Sequence, residues 1–219
     1  MSTLDVRAIY SHILFDHDGV LVDTEHLYFR ATRETLATVS LDLTLEKYLA
    51  LQAVGGDAWE EMRALGHTDA VVAKKKEERN ALYQTFLRTE DIDIPGVEEV
   101  LTSLSENYGL AIVTTARQSD FDLIHAERAI IAPFDLILTN KDYARSKPYP
   151  DPYLAALAYF GIAPGDALVV EDSERGLRSA VAAGIDCAVV YHPFTAPQDF
   201  SSATYRIQNL SELRVILRA

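Results

Sequence analysis

The chain has 219 residues, 48% of them hydrophobic and 24% charged, a balance that argues against a disordered or fibrous protein. A formal net charge of −13 makes nucleic acid and anionic lipid unfavourable partners, and the single cysteine, Cys187, excludes an intramolecular disulfide. The start of the chain, with Asp5 and Arg7, lacks the basic opening and apolar run of a signal peptide, and no stretch approaches the ~18 apolar residues that span a bilayer. A cytoplasmic protein, monomer or homodimer, is expected.

In chain order, Ile13-Leu14-Phe15 is the first short apolar run of strand length. Four more follow at Leu110–Val113, Leu136–Leu138, Ala167–Val170 and Cys187–Val190. These runs predict strands buried on both faces. Helical patterns lie between the later ones, at Val97–Asn107, Pro152–Phe160 and Glu174–Ala183, with Gly109, Gly161 and Gly184 as stop signals. Strand–helix alternation predicts an α/β fold with βαβ units on a parallel sheet. From about Val22 to Asp93 no strand is evident. Thr24–Thr38, Thr44–Ala53, Asp57–Leu65 and Asp69–Arg88 suit helices, the last carrying a charge run, Lys74 to Arg79, expected to be solvated. Residues 22–93 are therefore expected to form a helical domain inserted into a core made of 1–21 and 94–219, the return being marked by Pro95-Gly96.

In open parallel sheets ligands bind beyond the carboxyl ends of the strands, and polar clusters stand there. Asp16-His17-Asp18-Gly19 follows the first run, Thr114-Thr115-Ala116-Arg117 the second. Arg145-Ser146-Lys147-Pro148 lies downstream of the third, and Glu171-Asp172-Ser173 follows the fourth. Asp16 and Asp18 are two apart and can point the same way; His17 alternates away from the site. Clustered carboxylates repel by about 4 kcal/mol per pair at ~4 Å, so they need a cation. An all-oxygen donor set favours Mg²⁺. A carboxylate beside such a cation can attack phosphorus and a second one can move the proton. Thr114, the Thr115 backbone N–H and Lys147 can stabilise the transferring phosphoryl group.

These segments strongly resemble the haloacid dehalogenase superfamily. Phe15-Asp16-His17-Asp18-Gly19-Val20-Leu21-Val22-Asp23-Thr24-Glu25 resembles its first motif, Thr114 the second, Lys147 the third and Glu171-Asp172 the fourth. The stretches from Lys147 to Pro152 and from Glu171 to Gly176 are similar to the phosphoglycolate phosphatase and β-phosphoglucomutase branch. The resemblance implies a Rossmann-like three-layer α/β/α core with an all-helical cap. It implies Asp16 as nucleophile, Asp18 as acid/base, and Mg²⁺ held by Asp16, the Asp18 carbonyl and Asp172, with Glu171 as neighbour or ligand. Dehalogenases of the superfamily lack the second aspartate, so Asp18 favours phosphate esters. His17 stands where an apolar residue is commoner, a departure expected to affect packing rather than chemistry.

The expected function is a Mg²⁺-dependent phosphatase for a small phosphorylated metabolite, phosphoglycolate- or sugar-phosphate-like. A β-phosphoglucomutase-type isomerase and a receiver-like phosphate-accepting switch are the alternatives. Gly19, Thr115, Arg117 and Glu25 are candidate substrate contacts; Arg117 could take a second anionic group. In the cap loop Gly55 is followed by Gly56 and Asp57, where mutase-like members carry a basic residue, which weakens the isomerase reading. Trp59 and Met62 are expected in the core, and Cys187 is expected to be a buried, inert thiol.

Overall fold

The structure, a computed structural model, describes residues 10–217; Asp5 and Arg7 lie outside them. Six strands, β1 (His12–Phe15), β2 (Gly109–Val113), β3 (Leu136–Leu138), β4 (Ala167–Glu171), β5 (Asp186–Val190) and β6 (Tyr205–Ile207), form one parallel sheet in the order β3-β2-β1-β4-β5-β6. The chain runs outward from β1 through β2 to β3, then restarts at β4 on the other side of β1. The order therefore reverses at the β1–β4 junction, the place where this class of sheet opens a ligand crevice.

Side-chain alternation builds the layers. Ile13, Phe15, Leu110, Ile112, Leu168 and Val170 face one side, against Val97, Val100, Leu101 and Leu104 of helix α5 (Val97–Ser105). Leu14, Ala111, Val113 and Val169 face the other, against Tyr153, Ala156 and Leu157 of α7 (Asp151–Phe160) and Leu177 and Ala180 of α8 (Glu174–Ala182). The result is the expected three-layer α/β/α arrangement. α8 begins at a Ser173 cap whose side chain accepts from Gly176 N at 3.1 Å, and α7 ends at Gly161 in the left-handed region, φ 67°.

Between β1 and β2 lie α1 (Glu25–Ala37), α2 (Leu45–Ala53), α3 (Glu60–Ala64) and α4 (Asp69–Thr89). Thr44 and Thr68 cap α2 and α4 by accepting from Lys47 N and Val71 N. These helices bury a cluster of their own containing Phe29, Leu36, Leu43, Tyr48, Trp59 and Met62. A second cluster, with Val22, Leu27, Tyr83, Leu87 and Ile92, reaches Ile124 of α6 (Gln118–His125). Val22 bridges both Asp18 and Asp93, so the two crossings of the chain lie side by side.

Several expectations are corrected. β3 is an edge strand and only half-buried. Gly109 does not stop a helix; it opens β2, where a Cβ would lie 2.4 Å from the His12 ring. α6 and β6 were not predicted. α6 carries polar residues through its first turn, and β6 alternates tyrosine and arginine instead of showing an apolar run. The helix expected from Asp57 starts only at Glu60. In the charge run of α4, Arg79 is buried with its guanidinium 4.1 Å from the centre of the Tyr28 ring. Cys187, Trp59 and Met62 are buried as expected.

Candidate active site

β-Sheet register sets the first geometry. Phe15 pairs with Ile112 and Val170, so the residues one step on, Asp16, Val113 and Glu171, meet at one level of the rim. Lys147, from the segment after β3, comes up beneath them and is 3% exposed. Its ammonium donates to Asp16 Oδ1 at 2.6 Å, Glu171 Oε1 at 2.7 Å and the Val113 carbonyl at 2.8 Å. All three of its protons are thus used. Glu171 is wholly buried and also accepts from the Tyr153 hydroxyl at 2.6 Å and from Ser173 at 3.2 Å. Asp16 keeps its second oxygen without a hydrogen-bond partner among the described residues.

Oxygen atoms of Asp16, Glu171 and Asp172 lie within 4.8 Å of one another. Burial, and then the Glu171 charge, push the Asp16 carboxyl up to about 7 against the opposing pull of Lys147. Burial followed by Asp16 and Glu171 raise Asp172 well above the carboxylate range. Three carboxylates and one ammonium leave a deficit of positive charge that a divalent cation fits, and every donor is oxygen. Asp172 lies against Gly19 (φ 81°), where a Cβ would come within 2.2 Å of Asp172 Oδ2. Only glycine leaves that carboxylate in place.

Asp18 has a different setting. Its carboxylate accepts from the Thr24 hydroxyl and, at 3.4 Å, from Thr114 Oγ1; His17 Nδ1 is 3.3 Å away. Burial opposes its ionisation, but the His17 ring, then the Thr24 hydroxyl and the Arg175 charge bring it down to about 2. In the metal-free protein the two neighbouring carboxylates are thereby driven apart in proton affinity, Asp16 upward and Asp18 downward. His17 does turn away from Asp16, as expected, and packs on Phe121 and His125. It nevertheless touches Asp18, so its effect extends beyond packing. Its Nε2 lies 2.8 Å from His125 Nε2, and burial, followed by His17, holds His125 down to about 3.

A cavity of about 200 Å³ opens above these groups, lined by Asp16, Asp18, Asp172 and the facing side chains of the inserted helices. Its size suits a small metabolite. Glu25 lines it, its carboxylate accepting from the Tyr48 hydroxyl at 3.0 Å, which in turn accepts from Gln52 at 2.8 Å. Burial raises Glu25 above the usual range. Thr115 and Arg117 line it too. Arg117 forms a bidentate pair with buried Asp120, at 2.9 and 2.8 Å. Arg175, in the first turn of α8, also enters the cavity and donates to Thr115 Oγ1 at 3.3 Å. The turn after α2 meets the core here, since a Cβ on Gly55 would lie 2.9 Å from Pro148.

The structure thus gathers Asp16, Asp18, Gly19, Thr114, Lys147, Glu171 and Asp172 at the crevice, with Glu25, Thr115 and Arg117 around the cavity. Sequence reading gave no role to Tyr153, Arg175 or Tyr48. Thr24 occupies the cap position of α1 but makes no capping hydrogen bond, its hydroxyl going to Asp18.

Comparison with known proteins agrees with this architecture. The model of the family described as haloacid dehalogenase-like hydrolase matches residues 13–190. The protein CbbY of Rhodobacter capsulatus is 32% identical over 211 residues, covering 91% of this chain and 93% of that protein. A phosphorylated carbohydrates phosphatase of Thermotoga maritima is 30% identical over 181 residues, covering 80% and 82%. A mutant of CbbY from Rhodobacter sphaeroides, crystallised with xylulose-(1,5)bisphosphate, superposes with a TM-score of 0.78 at 27% identity, covering 93% of this chain and 96% of that one. Sheet order, clustered carboxylates and these similarities converge: the chain belongs to the haloacid dehalogenase-like hydrolase family and is an enzyme.

Proposed function

We propose that this phosphatase removes a phosphoryl group from a small phosphorylated sugar-like metabolite in the cytoplasm, with Mg²⁺ as cofactor and Asp16 as nucleophile. The observation that carries the reading is the buried Lys147 held between Asp16 and Glu171 at the β1–β4 junction, with Asp172 alongside. Asp16, the Asp18 backbone carbonyl and Asp172 would hold the cation, which supplies positive charge to neutralise carboxylates and phosphoryl oxygens alike. Glu171, with its oxygens already engaged, acts as the anchor of Lys147.

Lys147 fixes Asp16 through Oδ1, and the other Asp16 oxygen attacks phosphorus. The ester P–O bond breaks as the aspartyl phosphate forms, and the leaving oxygen takes a proton from Asp18. Asp18 is held low in the free protein, but a phosphoryl anion beside it raises its proton affinity, and the proton it passes to the leaving oxygen is one brought in by the monoanionic phosphate ester. Asp18 then accepts a proton from the water that attacks the phosphoaspartate, releasing phosphate and restoring Asp16. Thr114 and Thr24 orient Asp18 through their hydroxyls. Residues 22–93 act as a cap over the core of 1–21 and 94–219, presenting Glu25 and Gln52 to substrate hydroxyls. The relatives named as phosphatases of phosphorylated carbohydrates and of fructose 1-phosphate support a sugar-like substrate.

The test is phosphate release from p-nitrophenyl phosphate and fructose 1-phosphate. Turnover should need Mg²⁺, stop with EDTA and vanish in Asp16→Asn. A metal-independent rate, or appreciable activity in that variant, overturns the mechanism.

A further inference from the structure

Two histidines that the mechanism above leaves unused stand behind Asp18. His17 is wholly buried, and His125, at the end of α6, is 8% exposed. Their Nε2 atoms are 2.8 Å apart, so a proton lies between them. Phe121 packs against both rings, its centroid 5.0 Å from that of His17 and 4.5 Å from that of His125. The two outer nitrogens differ in what they meet. His17 Nδ1 approaches Asp18 Oδ2 obliquely at 3.3 Å. His125 Nδ1 is buried with no hydrogen-bond partner among the described residues. Neither ring lines the cavity, so any effect of theirs on the reaction passes through Asp18.

These contacts select one arrangement of protons. A neutral imidazole has a proton on one nitrogen and a lone pair on the other. If His17 gave its Nε2 proton to His125, the His17 Nδ1 lone pair would face the Asp18 carboxylate, and His125 would bury an Nδ1–H without an acceptor, which is costly. A doubly protonated His17 removes the first fault and keeps the second. If His125 gives the shared proton, His17 Nδ1–H faces the carboxylate and only a bare acceptor is left at His125 Nδ1. Burial, which holds His125 neutral, agrees with this choice. Resting on the phosphatase reading above, in which Asp18 moves the proton, we propose that His17 and His125 are a positioning pair for Asp18: His125 donates to His17 Nε2 and so fixes on His17 an Nδ1–H that joins the Thr24 and Thr114 hydroxyls in orienting the carboxylate.

The first test is spectroscopic and uses the metal-free wild type. Long-range proton–nitrogen correlation spectra near neutral pH should show opposite tautomers, His17 protonated on Nδ1 and His125 on Nε2. A bare Nδ1 on His17 overturns the proposal, whether or not any variant folds. The second test is kinetic, with Mg²⁺ present. The value of kcat/KM reports the step that forms the phosphoaspartate, in which the alkoxide leaving fructose 1-phosphate needs a proton and p-nitrophenolate, a good leaving group, does not. His125→Leu should therefore lower kcat/KM about tenfold on fructose 1-phosphate, the size of one hydrogen bond to a charged group, and far less on p-nitrophenyl phosphate. His125→Gln, whose amide can donate to His17 Nε2, should recover part of the loss. Equal losses on the two esters would reduce the pair to packing and overturn the proposal, as would no loss on either. Asp18→Asn is the reference and should show the same selectivity in larger measure. If it shows none, or if the wild type fails to hydrolyse p-nitrophenyl phosphate, it is the phosphatase reading beneath the proposal that falls.

Discussion

Replacing Gly176 by alanine sets two effects of opposite sign against each other. Gly176 lies inside α8, where alanine is ordinarily favoured over glycine by about 1 kcal/mol. A Cβ built there, however, falls 1.8 Å from the Glu171 carboxyl carbon and 1.8 Å from its Oε1. Glu171 cannot swing clear without losing hydrogen bonds from Lys147, Tyr153 and Ser173. Overpacking costs about 1–3 kcal/mol, and a lost hydrogen bond to a charged group about 1.5–3 kcal/mol. Even after the helix-propensity gain, the net loss is about 1.5–5 kcal/mol. For a chain of this size that lowers Tm by roughly 3–20 °C. Circular dichroism melts of Gly176→Ala against the wild type measure it. Gly165→Ala is the control, because a Cβ at that position meets nothing within 4 Å. Activity on p-nitrophenyl phosphate should fall with stability, since Lys147 loses one of the two carboxylates that hold it. A Gly176→Ala protein as stable and as active as the wild type would refute the idea that a rigid Glu171 organises the site.

Two further outcomes follow from the same cluster. Lys147→Met keeps most of the volume but leaves Asp16 and Glu171 facing each other without a cation; metal-free protein should lose about 3–5 kcal/mol in a denaturant titration, and turnover should collapse even with saturating Mg²⁺. Asp16, raised to about 7 by burial and then by Glu171, binds more protons folded than unfolded, so its contribution to metal-free stability falls as pH rises from about 4 through 7. A cation competes with that proton, so Mg²⁺ should raise Tm more at pH 7.5 than at pH 5; equal shifts at the two pH values would count against a cation site that includes Asp16.

What the sequence made legible were features written locally. Ile13-Leu14-Phe15 and Ala167–Val170 are apolar on both faces because their strands are central, and central strands read as continuous runs. The acidic pairs that follow them stand out against those runs, so the meeting of Asp16 with Asp172 could be anticipated from strand ends alone. β6 escaped because an edge strand at Tyr205–Ile207 needs no such run, and α6 because its inward face, Phe121, Ile124 and His125, is short and mixed with aspartates. The sheet also fixes only the level of the rim: register brings Glu171 beside Asp16, but that Glu171 would serve Lys147 depends on Ser173 and on Tyr153, which lies just outside the motif stretches.

The cavity was the least legible part, because pairing decides which charges remain available and pairing is a tertiary property. Arg117 follows the phosphate-side threonines in sequence and Arg175 lies mid-motif, and nothing in their spacing distinguishes them. The difference is made by Asp120, one turn along α6, which takes both arms of the Arg117 fork, whereas Arg175 donates to the Thr115 hydroxyl with Glu25 as its main opposing charge. His17 makes the same point from the opposite direction. Taken by position alone it was a packing substitution; yet its partner, His125, is 108 residues away, and the two rings stand behind the Asp18 carboxylate. A residue that departs from a family pattern beside a reacting group is understood only with the distant side chain that accommodates it, and here that side chain lies on a helix the apolar periodicity did not reveal.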